Sequence, residues 1–184
     1  MTARIPYGGW PSPLGAADLA AGSSALGELH SAGSALYWLE SRPTEQGRST
    51  LMCRDASGAL SELTPAPISV RSRVHEYGGG AFLPTSDGVF FVNDRDGDLY
   101  LAEPAGALRR LTTLDGITRL ADLAWDAERA RLIAVCERHP RAAADATAGI
   151  ENLLVALPLD AARTRAGPLV ELHRGHDFYA APRM

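Results

Sequence analysis

The chain has 184 residues, 46% hydrophobic and 22% charged, which is the composition of an ordinary globular domain with one core. Its formal net charge of -4, with Arg as its only cationic side chain besides His, supplies no basic field for phosphate backbones or anionic lipid, and so excludes nucleic acid and membrane surfaces as partners. Two cysteines without a C-x-x-C pair, Cys53 and Cys136, exclude a disulfide-stapled scaffold and predict buried thiols, while the absence of an apolar leader or any long apolar run predicts a cytoplasmic protein.

Residues 1–25 stand apart as an N-terminal segment. Ser12 before Pro13 offers an N-cap and a first-turn proline, and Gly22 a stop, so a short helix is expected over 13–21. From residue 26 the chain repeats itself. The first unit, 26–66, holds four strand-like runs: Leu26-Gly27-Glu28-Leu29, Leu36 to Arg42, Thr50 to Arg54, and Leu60 to Thr64. The second, 77–114, holds Gly80 to Leu83, Val89 to Arg95, Asp98 to Ala102, and Leu108 to Thr112. The third, 119–174, holds Ala121 to Trp125, Leu132 to Arg138, Asn152 to Ala156, and Leu169 to His173, with an Ala-rich loop at 140–146 that allows a short helix.

In each unit the central run is apolar, turns polar and ends in Arg (Arg42, Arg95, Arg138), and the closing run alternates with period two. Turn signals such as Ala32-Gly33, Ser57-Gly58, Asp87-Gly88 and Asp96-Gly97 separate consecutive runs, which predicts antiparallel meanders. The central runs recur after roughly 50 and 40 residues, the length of a four-stranded propeller blade with insertions. The expected fold class is therefore all-β: an incomplete β-propeller over 26–184, with three four-stranded antiparallel blades and the start of a fourth at 176–184. A typical propeller closes with at least about four blades, so the chain reads as a part of one.

Three segments carry a family resemblance: Tyr7-Gly8-Gly9-Trp10-Pro11-Ser12-Pro13, Val70-Arg71-Ser72-Arg73-Val74-His75-Glu76-Tyr77-Gly78-Gly79-Gly80, and Asp177-Phe178-Tyr179 with Pro182-Arg183. Together they resemble the prolyl oligopeptidase family of serine peptidases, in its acylaminoacyl-peptidase and dipeptidyl-aminopeptidase-like branch. The resemblance implies an N-terminal propeller that restricts which peptides reach a Ser, Asp and His triad on a following α/β-hydrolase domain. Peptide substrates are then partners through that missing catalytic domain, and no cofactor is implied. Blades that lose a neighbour would leave alternate residues of their strands uncovered, such as Leu36, Trp38, Leu132 and Ala134, and self-association of the fragment is expected.

No G-x-S-x-G pentapeptide occurs, so no nucleophile elbow and no catalytic residue is assigned to this chain. Arg73, His75 and Glu76 are the candidate substrate-access residues, charges at a channel rim that could orient a peptide terminus. The competing reading is that His75 and Glu76 merely finish the loop into the second blade, with Gly78, Gly79 and Gly80 letting its innermost strand crowd the propeller axis. No metal is expected: His75 lacks a second His four residues on, and Asp94, Asp96 and Asp98 suit a hairpin turn better than a calcium loop. His30, His139, His173 and His176 are scattered, and Trp38, Trp125, Phe90, Phe91 and Tyr100 are expected to pack between blades. The rival functions are a non-catalytic protein-interaction propeller, which no Trp-Asp closing dipeptide supports, and a metal-dependent lactonase-like propeller. The latter needs acidic residues on successive innermost strands, of which only Glu28 and Asp122 are candidates.

Overall fold

The computed structural model describes residues 6, 8, 9, 11–16, 18, 23–140 and 149–184. Among these residues twelve strands form three separate four-stranded antiparallel sheets, each a simple meander. Blade one contains β1 (Leu26–Ala32), β2 (Ala35–Arg42), β3 (Arg48–Arg54) and β4 (Leu60–Glu62). Blade two contains β5 (Phe82–Thr85), β6 (Gly88–Val92), β7 (Leu99–Ala102) and β8 (Leu108–Arg110). Blade three contains β9 (Thr118–Asp126), β10 (Arg131–Arg138), β11 (Glu151–Pro158) and β12 (Val170–Arg174). The incomplete all-β propeller read from the repeat is thus the observed fold, and β1, β5 and β9 are its innermost strands, in contact along the series.

The short helix expected over 13–21 is not shown, because residues 17 and 19–21 lie outside the described set. Most of the Ala-rich loop at 140–146 lies outside it too, and the helical element whose residues are all described is a 3-10 turn, Pro43–Glu45. Residues 175–184 form no strand.

Period-two alternation gives each sheet two faces, and blade two uses both. Val89, Phe91 and Ala102 pack with Leu51 and Phe82 against Tyr37 and Leu39 of blade one. Their alternates Phe90, Val92, Leu99 and Leu101 pack with Leu132, Ala134, Cys136, Leu153, Val155 and Leu157 of blade three. Trp125 stacks on Phe90 and Tyr100 on Phe91, with ring centroids 5.9 and 5.5 Å apart, as expected of blade-packing aromatics. Trp38 departs from that expectation. It pairs across β2 and β3 with Met52, on the face turned away from blade two, and its indole nitrogen is buried without a partner among the described residues.

A polar latch recurs where the outermost strands of blades one and two end. Thr64 Oγ1 accepts the Leu51 N–H at 2.8 Å in blade one, and Thr112 Oγ1 accepts the Leu99 N–H at 2.9 Å in blade two. Behind them stand Thr50 and Asp98, repeat-equivalent and both fully buried. Asp98 accepts from Thr112 Oγ1 (2.8 Å), the Leu114 N–H (2.7 Å) and the Arg110 guanidinium. These bonds satisfy groups that the meander would otherwise bury unpaired. Cys53 and Cys136 are free and buried as expected, and burial pushes the Cys136 thiol up to about 11.

Candidate functional site

The segment Arg71 to Gly80 carries the chain from blade one into β5, and it does so through a turn held in left-handed backbone: φ is 56° at His75, 64° at Glu76 and 93° at Gly78. Side chains pay a steric penalty there, so two consecutive non-glycine residues persist only where surroundings enforce them. Glu137, at the end of β10 and almost wholly buried, provides that enforcement. Its Oε1 accepts the His75 N–H at 2.8 Å and lies 3.0 Å from His75 Nδ1, while its Oε2 lies 3.1 Å from His139 Nε2 and 3.7 Å from Arg119.

The glycines that follow are required by proximity. A Cβ on Gly79 would stand 2.9 Å from the Ala121 Cβ, and one on Gly80 would stand 2.9 Å from Asp122 Oδ1. The close approach these glycines allow is against the innermost strand of blade three. Asp122 turns this approach into a bond: its Oδ1 accepts the Gly80 N–H at 2.5 Å and its Oδ2 accepts the Ala181 N–H at 2.9 Å. Glu28 plays the matching part from blade one, accepting the Ala81 N–H at 2.8 Å. Both sit at bulges of their strands with positive φ, 48° and 52°. The two acidic positions singled out on the innermost strands thus act as inter-blade staples. Burial raises the Glu28 carboxyl above its ordinary value, opposed by the Ala81 N–H and reinforced by the charge of Asp122.

The structure sets each candidate residue in a different pair at one rim. Arg73 makes a two-point ion pair with Asp94, at 2.6 and 3.0 Å. Glu76 pairs with Arg119 at 2.7 Å, and this guanidinium, which also donates to the Arg73 carbonyl at 2.8 Å, holds the Glu76 carboxyl below the usual range. His75 is set against Glu137, and its Nε2 is buried without a partner. Its ring meets Phe178 edge-on at 4.9 Å, where residues 175–184 pass over blade three, and it lies 5.8 Å from the ring of Tyr77. Tyr77 and Phe178 are 79% and 68% exposed, so the rim presents two aromatic rings beside the charged pairs.

Asp94, Arg119, Glu137 and His139 were not legible as members of this cluster. The one signal was the repeat. Asp94 and Glu137 occupy the same position, just before the Arg that ends each central run, and both acids receive the segment that enters blade two, Asp94 from within that blade and Glu137 from the next. Chemically the cluster can bind and orient, and among the described residues no nucleophile is arranged with it: Ser72, the serine nearest in sequence, is buried and donates its Oγ to the Leu120 carbonyl at 2.8 Å.

No family model matches the chain, and no curated protein matches it. Solved structures do. A puromycin-hydrolyzing peptidase from Mycobacterium tuberculosis is 38% identical with a TM-score of 0.82, covering 98% of this chain and 29% of its own. Two structures of a puromycin hydrolase, one a variant complexed with PGG, are 31% and 30% identical, both with TM-scores of 0.73, covering 93% and 95% of this chain. This chain spans 28% of the length of each of those two. The Arg-Val-His-Glu-Tyr-Gly-Gly-Gly stretch, the blade architecture and these identities together make the chain a β-propeller portion of the prolyl oligopeptidase family.

Proposed function

We propose that this chain is the substrate-gating part of a cytoplasmic serine peptidase whose catalytic α/β-hydrolase domain lies in the part of the protein that the chain does not span. Peptide hydrolysis is then the activity of the longer protein, with puromycin, the compound for which the similar structures are named, among the substrates to try. The observation that carries this reading is the rim turn at 73–78. A left-handed backbone costs stability, yet here it is braced by a buried carboxylate so as to present Glu76 and Tyr77, beside Phe178, at the mouth of the blades. Charge next to exposed aromatic rings is suited to orienting a peptide terminus.

Reading the encoding DNA past the codon for Met184 tests the assignment: further blade repeats and a G-x-S-x-G elbow are expected, and an immediate stop codon would contradict it. In the longer protein, Glu76→Ala with Tyr77→Ala should change kcat/KM for long peptides more than for a dipeptide chromogenic substrate. Equal effects on both would remove the gating role. Self-association of the isolated chain belongs to the same proposal and is supported by the apolar residues on the outer face of blade one.

A further inference from the structure

Blades two and three enclose a pocket of about 220 Å³ at the same rim, and its walls carry four guanidinium groups against two carboxylates: Arg71, Arg73, Arg95 and Arg119, with Asp94 and Asp96. The carboxylates are already engaged. Asp94 holds Arg73 in the two-point pair, and Asp96 accepts from Tyr100 Oη at 2.7 Å, Asn93 Nδ2 at 3.0 Å and the Asp98 N–H at 3.1 Å. Arg119 is committed to Glu76. Arg71 and Arg95 are different: both are exposed, and neither has an ion pair or side-chain hydrogen bond among the described residues. Both come from the blade-two wall, Arg71 from the entry segment whose N–H donates to the Val92 carbonyl at the end of β6 and Arg95 from the β6–β7 turn.

Unpaired arginines on a convex surface are commonplace. Two that line a concave site in which Asp94 is balanced by Arg73, and the one charge of Asp96 offsets only one of them, leave net positive charge where a ligand oxyanion could be bound. We infer that this pocket binds a carboxylate, the C-terminal carboxylate of a peptide, through Arg71 and Arg95. The planar guanidinium fork matches a carboxylate in two-point geometry, and the volume admits a terminal residue but not a folded partner. The inference rests on the peptide-handling reading of the rim and names the end of the peptide that this side of it would hold. Because the site is open to water, binding is weak and falls with salt.

The test is calorimetric titration of the full chain, at low salt, with N-acetyl-trialanine as the free acid and as the C-terminal amide. The free acid is expected to bind at least about tenfold more tightly, the factor one charge-assisted hydrogen bond supplies. An R71Q/R95Q double variant should lose that preference while retaining the parent's circular dichroism and unfolding midpoint, since neither side chain has a partner to lose among the described residues. Equal binding of acid and amide overturns the carboxylate site and leaves peptide handling intact. Failure of both peptides to bind overturns the inference together with the reading beneath it. A preference that survives R71Q/R95Q overturns the location.

Discussion

Blades one and two have the same strand order and nearly the same polar latch, yet they differ in how much of their surface the fold uses. Blade two lies between neighbours, and every residue of β6 is buried. Blade one has a neighbour on one side. Leu26, Leu29 and Leu60 are 65 to 71% exposed, and all of β4 faces solvent. Alternation in a strand therefore states that two faces exist, while the blade's position in the ring decides whether one or both become core.

The largest expected effect follows from that difference. Phe90→Ala, on a fully buried ring between blades two and three, should cost about 3–5 kcal/mol, whereas Leu36→Ala on the outer face of blade one should cost under about 1 kcal/mol. Denaturant titrations of the two variants decide it, and similar losses would mean that blade one's outer face is covered after all.

The latches offer a finer contrast. Asp98→Ala strips partners from Thr112, the Leu114 N–H and Arg110 at a buried point, and should cost about 2–3 kcal/mol. Its counterpart Thr50→Ala removes a neutral hydroxyl whose acceptors are Glu62 and the Thr64 carbonyl, and should cost about 1 kcal/mol. Thermal unfolding with Thr50→Ala the more damaging of the two would show that the repeat equivalence misleads.

The smallest effect is a matter of pH. Glu28 has a folded-state value raised by burial, so its protonated form favours the fold. That contribution is present in full below the ordinary value of 4.5 and is lost as pH rises through the raised one. Glu28→Gln keeps an acceptor for the Ala81 N–H, and should therefore stabilise the chain slightly at neutral pH and flatten its stability profile just above pH 4.5. An unchanged profile would mean that Glu28 is as well solvated in the folded chain as in the unfolded one.

Much of the fold was legible because blades are local: each meander is written in consecutive residues, with turns at Ala32-Gly33, Ser57-Gly58 and Asp96-Gly97 marking its corners. The rim was legible only in part. Arg73, His75 and Glu76 stood out through their motif, but their partners Asp94, Glu137 and Arg119 lie 21, 62 and 43 residues away and are brought near by the packing of one blade on the next. The uncovered faces could not be assigned either. Leu132 and Ala134, named among the residues at risk of exposure, face blade two and are fully buried, whereas Leu36 stays 36% exposed and Trp38 faces outward with it. Nothing in a period-two pattern distinguishes left from right.

The most direct measurement is an assay of the purified 184-residue chain against puromycin and against acyl-peptide, dipeptidyl and prolyl chromogenic substrates, with and without a serine-directed inhibitor. Three blades without a nucleophile elbow should give no turnover above the buffer rate with any of them. Hydrolysis that persists through purification and disappears with the inhibitor would place a catalytic serine within these three blades and contradict the account.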